Sequence, residues 1–222
     1  MASEVDICNL ALGHLGDDAT VSSINPPEGS PQAEHCSRFY PIARDSLLER
    51  HNWGFTTTRA SLALLGSGWP EWQYCYALPS DAINLLAVLP PTATDDYSVG
   101  TNIWFTQTGY PIPGNGNYTP QNFSQETLED GTVVVYTDQE DAVLRYTRYV
   151  TDTTVFSPLF VDTVSWYLAS YLAGPVLKGE QGAAEAKRCM AMAELMLGKA
   201  MTSDANQRRT QITQNVSWMA GR

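Results

Sequence analysis

Three histidines, His14, His35 and His51, are the side chains best suited to acid–base work or metal binding near neutral pH. None lies in an HxxxH or HExxH pattern, and none joins cysteines at zinc-ligand spacing. His35 and Cys36 are adjacent on a predicted helix. Their side chains therefore diverge by about 100° and do not converge on one ion. Solvated or hydrogen-bonded histidines are expected. Acid pairs occur at Asp17-Asp18, Asp95-Asp96, Glu129-Asp130 and Glu140-Asp141. A glycosidase needs two carboxylates from different elements facing across a cleft, whereas adjacent acids in turns serve solvation and turn geometry. No GxSxG elbow, SxxK or Walker sequence is present. Gly114-Asn115-Gly116 follows no predicted strand and opens no helix, so it is no dinucleotide fingerprint. The expectation is a protein without catalytic residues, metal or cofactor, and not an enzyme.

The four cysteines, Cys8, Cys36, Cys75 and Cys189, are widely and irregularly spaced, without a CxxC pair. Reduced, buried thiols are expected rather than disulfides, with synthesis in a cytosol. Arg208-Arg209 is a basic pair near the end of a chain with 24 acidic and 13 basic residues, net −11. Two readings stand side by side: a solvated helix end, or a tail that docks on an acidic partner while Trp218 supplies buried area. The net charge argues against general, tight binding to nucleic acid, which needs surplus Lys and Arg to displace counterions. It is compatible with an acidic surface past which DNA slides without sticking.

These residues need elements to hold them. With 222 residues, of which 43% are hydrophobic, the chain buries a substantial core as one large domain or one carrying an inserted layer. The 11 Tyr and 6 Trp suit both a core and protein interfaces. The N-terminus lacks a basic region and a long apolar run, so no signal peptide is expected. No stretch approaches the roughly 20 apolar residues of a membrane span.

Ser3 is placed to cap a first helix with Asp6 at its third position, and Val5, Cys8, Leu12 and Leu15 form its apolar stripe up to Gly16. Ser30-Pro31 opens a second helix to about Arg50, with Ala33, Cys36, Tyr40, Ala43 and Leu47 inward and a kink or break expected at Pro41. Trp53 and Phe55 are expected beneath its end. From Trp69 the pattern changes: strand-like runs lie at Trp72–Leu78, Ile103–Phe105, Thr132–Thr137 and Ala142–Tyr149, with a long loop at Tyr110–Phe123. Ser157-Pro158 opens a third helix with Phe160, Val164, Tyr167, Leu168, Tyr171 and Leu172 inward, bent or ended at Gly174-Pro175. A fourth covers about Gly182–Met201, presenting Ala183, Ala186, Met190, Ala193 and Leu197 to a neighbour. The expected fold class is α+β: an antiparallel-like bundle of four main helices, with an inserted β-rich region and an extended C-terminal tail. The divisions are 1–68 and 153–202 for the helices, 69–152 for the β-rich insertion and 203–222 for the tail.

The order of these landmarks resembles the head–tail adaptor (connector) family of tailed bacteriophages, of the tubular tail protein A or gatekeeper-adaptor type. The matching pieces are N-L-A-L-G-x-L-G at Asn9–Gly16, W-G-F at Trp53–Phe55, Y-x-L-P-x-D at Tyr76–Asp81 and R-Y-x-x-Y at Arg145–Tyr149. S-P-L-F, L-A-x-Y-L-A, an Ala-rich helix and a polar tail ending at Arg222 follow in order. The long Tyr110–Phe123 loop departs from the pattern. The resemblance implies a structural ring of about twelve copies beneath a portal protein, within the virion at the head–tail junction, carrying DNA through its channel without specific binding. It implies that Arg208, Arg209, Ile212, Val216, Trp218, Met219 and Arg222 dock on the portal. It further implies that Tyr110, Asn115, Asn117, Tyr118 and Phe123 face the next tail component, whether nozzle, tube or terminator. An adaptor with peptidoglycan hydrolase activity and a tail-tube completion protein are the alternatives.

Overall fold

The computed structural model describes residues 2–67, 69–91, 93 and 121–207. Among these the protein is α+β, with four α-helices and seven strands in two antiparallel sheets. The helices are α1 (Glu4–His14), α2 (Pro31–Glu49), α3 (Pro158–Leu177) and α4 (Gly179–Ala205). The strands are β1 (Thr57–Ser61), β2 (Ala63–Ser67), β3 (Tyr74–Ala77), β4 (Ala82–Leu89), β5 (Phe123–Thr127), β6 (Val133–Thr137) and β7 (Val143–Arg148). The described chain forms two compact units. One joins residues up to Thr56 with Tyr149–Gln207, and the other takes Thr57–Arg148.

The helix starts follow their capping chemistry. The Ser3 hydroxyl accepts the Asp6 amide, and the Asp6 carboxylate accepts the Ser3 amide, closing a capping box. Ser30 and Ser157 accept the amides of Ala33 and Phe160, each with proline in the first turn. α3 is the centre of the helical unit, packing against α1, α2 and α4. It is apolar nearly all round, as a helix enclosed by others must be. Its buried hydroxyls are satisfied within the helix: Thr163 and Ser165 donate to the Leu159 and Asp162 carbonyls at 2.7 and 2.8 Å.

Neither proline breaks its helix. α2 runs unbroken across Pro41, and α3 continues through Pro175 to Leu177 instead of ending at Gly174. A proline forfeits one intrahelical bond, and buried packing on both helices outweighs that loss. The stop after α3 is conformational: Lys178 and Gly179 take φ of 57° and 60°, and the Lys178 amide bonds to the Gly174 carbonyl at 3.0 Å. α4 therefore begins at Gly179, and its inward row is Gly182, Cys189, Ala193, Leu197, Ala200 and Asp204. Ala183, expected inward, is exposed, and Ala186 and Met190 are only partly buried. Gly182 sets this register, because a Cβ there would lie 2.8 Å from the Ala173 carbonyl oxygen.

In the second unit the sheet orders are β1-β7-β4 and β2-β3-β6-β5. Tyr76 and Val135 of one sheet share a core with Val88, Leu144 and Tyr146 of the other. β3, β6 and β7 fall within predicted strands, but strands begin at Thr57 rather than near Trp69. β1, β2, β4 and β5 were not legible. β1 (TTRAS) is a polar strand held by backbone pairing to β7, and Leu64 and Leu65 of β2 are exposed. β4 (AINLLAVL) is an apolar run whose register shifts between Ala82 and Asn84 and again between Leu85 and Ala87, which erases its two-residue period. Ile103–Phe105 lies outside the described residues.

Candidate functional site

Most of the residues expected to dock partners lie outside the described residues: Arg208, Arg209, Ile212, Val216, Trp218, Met219 and Arg222, expected on the portal side, and Tyr110, Asn115, Asn117 and Tyr118, expected on the side of the next tail component. Phe123 is the exception. It opens β5 opposite Thr137 and packs, partly buried, against the shared core of the two sheets. It is thus a strand residue rather than the end of a loop.

The described residues do define the end of α4. α4 ends at Ala205, and the Gln207 amide bonds to the Asp204 carbonyl at 3.1 Å. The buried Asp204 side chain reaches back to the segment after α2. Oδ1 accepts the Gly54 amide at 2.9 Å, and Oδ2 lies 3.3 Å from His51 Nε2. Gly54 fits because a Cβ there would stand only 3.1 Å from Asp204 Oδ1. His51 meets Trp53 edge-on, with ring centroids 4.8 Å apart. Trp53 is fully buried, and its indole N–H donates to the Leu47 carbonyl at 2.9 Å. Phe55, Phe156 and Phe160 complete an aromatic cluster around it. Arg50 forms a paired contact with Glu194, earlier on α4, at 2.6 and 2.8 Å. Polar contacts from Asp204 and Glu194 thus tie α4 to the segment at and after the end of α2.

A Ser–His contact also occurs. His14 Nε2 lies 3.0 Å from Ser165 Oγ, but Ser165 is fully buried and its hydroxyl donates to the Asp162 carbonyl. A nucleophile must reach substrate and give its proton to the base; this serine does neither. His14 instead stacks on Trp166, centroids 3.6 Å apart and 7° from parallel, while Arg188 sits over Trp166 and donates to the His14 carbonyl at 3.1 Å. Burial, the larger cause, and the Arg188 charge hold the His14 pKa below its usual value against the opposing pull of Asp162.

The four cysteines are free thiols, all buried. Cys8 is pushed up by donating a hydrogen bond to Cys36 and by burial, while accepting that bond lowers Cys36 against the opposing effect of burial. Tyr40 is raised chiefly by burial, and its hydroxyl has no hydrogen-bond partner. Among the described residues, no group of three or more His, Cys, Asp or Glu could hold a metal ion. No described helix is long and apolar enough to cross a membrane.

The resemblance landmarks fall at joints of the fold. Asn9 brackets Val21, donating to its carbonyl at 3.0 Å and accepting its amide at 2.8 Å. Asp81 accepts the Tyr146 hydroxyl at 3.1 Å, joining Y-x-L-P-x-D to R-Y-x-x-Y. W-G-F is the segment that Asp204 holds. Compared with known families and with curated proteins, the chain matches no family model and no curated relative.

Proposed function

We propose that this protein is a structural head-to-tail adaptor of a tailed phage: a ring beneath the portal that carries the DNA channel and joins capsid vertex to tail. In this reading the helical unit is a bundle forming the ring wall, the β-rich unit faces the next tail component, and residues 208–222 dock on the portal. The observation that carries the reading is the Asp204–Gly54 junction, because a docking segment is effective when it leaves from a fixed point. Beyond that junction, residues 208–222 span at most about 50 Å, enough to cross onto a neighbouring subunit. Arg208, Arg209 and Arg222 supply charge and Trp218 and Met219 supply apolar area. The net charge of −11 suits a wall that DNA passes without adhering.

The test is a truncation after Gln207, mixed with assembled portal rings and sedimented. Full-length protein is expected to travel with portal, and the truncated protein to fold normally and stay behind. Undiminished binding of the truncated form would remove the tail from this role.

A further inference from the structure

We infer that Cys8 and Cys36, with Tyr40 beside them, form a site between α1 and α2 that binds a copper(I) ion through two thiolates.

The register of the two helices builds the site. α1 and α2 run antiparallel, tied by Glu4 to Arg44 at 3.8 Å and, just past the end of α1, by Asp17 to Gln32 at 3.4 Å. Counting inward from the Glu4 contact, Cys8 comes level with Tyr40, and Cys36 stands one turn from Tyr40 on the same row of α2. Cys8 and Cys36 are fully enclosed, and Tyr40 is 1% exposed. The Cys8 thiol donates a hydrogen bond to Cys36, so the two sulfurs face each other. The other two thiols belong elsewhere: Cys75 is on β3, and Cys189 on α4 approaches Glu185.

Ligand chemistry selects the ion. Thiolate sulfur is soft and favours copper(I), zinc and iron–sulfur clusters over hard cations. A closed zinc site and an iron–sulfur cluster each call for about four protein ligands. Among the described residues no third His, Cys, Asp or Glu completes such a set. Copper(I) has a filled d shell and is satisfied by two sulfurs in line. On binding, each thiol gives its proton to solvent, a copper–sulfur bond forms at each sulfur, and no electron moves. The complex carries one negative charge. The buried Arg44 guanidinium, 5.7 Å from the Tyr40 ring centre, lies on the same row to offset it, while its carboxylate partners Glu4 and Asp45 are each 35% exposed.

Tyr40 is an independent pointer to the same place. Its buried hydroxyl has no hydrogen-bond partner, and a stranded buried hydroxyl is costly. Cys8 is near enough for its charge to act on that hydroxyl. A metal-bound thiolate on Cys8 is a strong acceptor, and gives the Tyr40 O–H the partner it lacks. The ion fastens α1, which packs chiefly on α3, directly to α2.

The test uses full-length protein, reduced and free of oxygen, titrated with copper(I) held by the coloured chelator bicinchoninate. Transfer to protein is read as loss of colour. Folded wild type is expected to take one copper(I) per chain, with an X-ray absorption spectrum of two sulfurs in line. Cys8→Ser and Cys36→Ser keep the side-chain size and are expected to lose the ion, while Cys75→Ser and Cys189→Ser keep it. Tyr40→Phe should bind about tenfold more weakly. Circular dichroism checks that each variant is folded. No transfer to wild type, or undiminished uptake by Cys8→Ser or Cys36→Ser, overturns the inference. Equal loss on replacing Cys75 or Cys189 marks general thiol binding and also overturns it. A wild-type spectrum with three or four sulfurs, or with oxygen or nitrogen ligands, overturns the two-thiolate site even if the Cys8 and Cys36 variants fail to fold.

Discussion

Asp204 accepts the Gly54 amide at 2.9 Å across 150 residues of sequence, fastening the last turn of α4 to the turn that follows α2. The carboxylate is buried and Gly54 leaves no room beside it. Asp204→Ala removes the acceptor and strands a part-buried amide, which costs about 1–3 kcal/mol. Asp204→Asn retains an oxygen for Gly54 and should cost less. Urea unfolding of the two variants against wild type checks the order.

The glycines of α4 are expected to respond in opposite directions. Gly182→Ala drives a methyl to 2.8 Å from the Ala173 carbonyl and 3.4 Å from Gly174 Cα. Separating two backbones costs about 1–3 kcal/mol, which exceeds the gain of about 1 kcal/mol in helix propensity. Gly198→Ala meets nothing within 4 Å. It should stabilise the monomeric fold by about 0.5–1 kcal/mol. Thermal midpoints at low protein concentration separate the two cases.

His14 ties stability to pH through its lowered pKa. In the unfolded chain the imidazole takes up a proton near pH 6.5, earlier than in the folded protein. Its contribution is fully present above about pH 6.5 and is lost as pH falls through the folded pKa. His14→Phe keeps a ring against Trp166 and removes the titration. Between about pH 7.5 and 5.5 the wild-type urea midpoint should fall more than that of the variant. Glu185 and Glu194, lowered chiefly by hydrogen bonds from Arg188 and Arg50, act in the carboxylate range and lose their contributions at lower pH. An equal slope for both proteins in the upper window would remove His14 as the cause.

Local chemistry was legible where it is decided by a few neighbouring residues. Ser3, Ser30 and Ser157 announced three helix starts because a hydroxyl satisfies an amide only three residues away. The alternation through Tyr74 and Tyr76 marked β3, and Glu129-Asp130-Gly131 marked the turn before β6, where Gly131 takes φ 86°. The strands that escaped notice are those whose identity lies in a partner's backbone. Thr57–Ser61 carries no apolar period, and becomes a strand because Val143–Thr147 lies alongside it.

By itself the sequence determined the mixed fold class, the buried thiols and the capped helix starts. It also placed Trp53 under the end of α2. Each of these follows from burial preference or from a hydrogen bond between residues a few positions apart. Only the tertiary structure decided that Asp204 belongs with Gly54, that Asp81 belongs with Tyr146, and that Ser165 is enclosed beside His14 without access to a substrate. It also decided which row of α4 faces inward, through the close approach of Gly182 to Ala173. These depend on which surfaces meet after the chain has closed on itself, and no periodicity within one segment encodes the geometry of its distant partner.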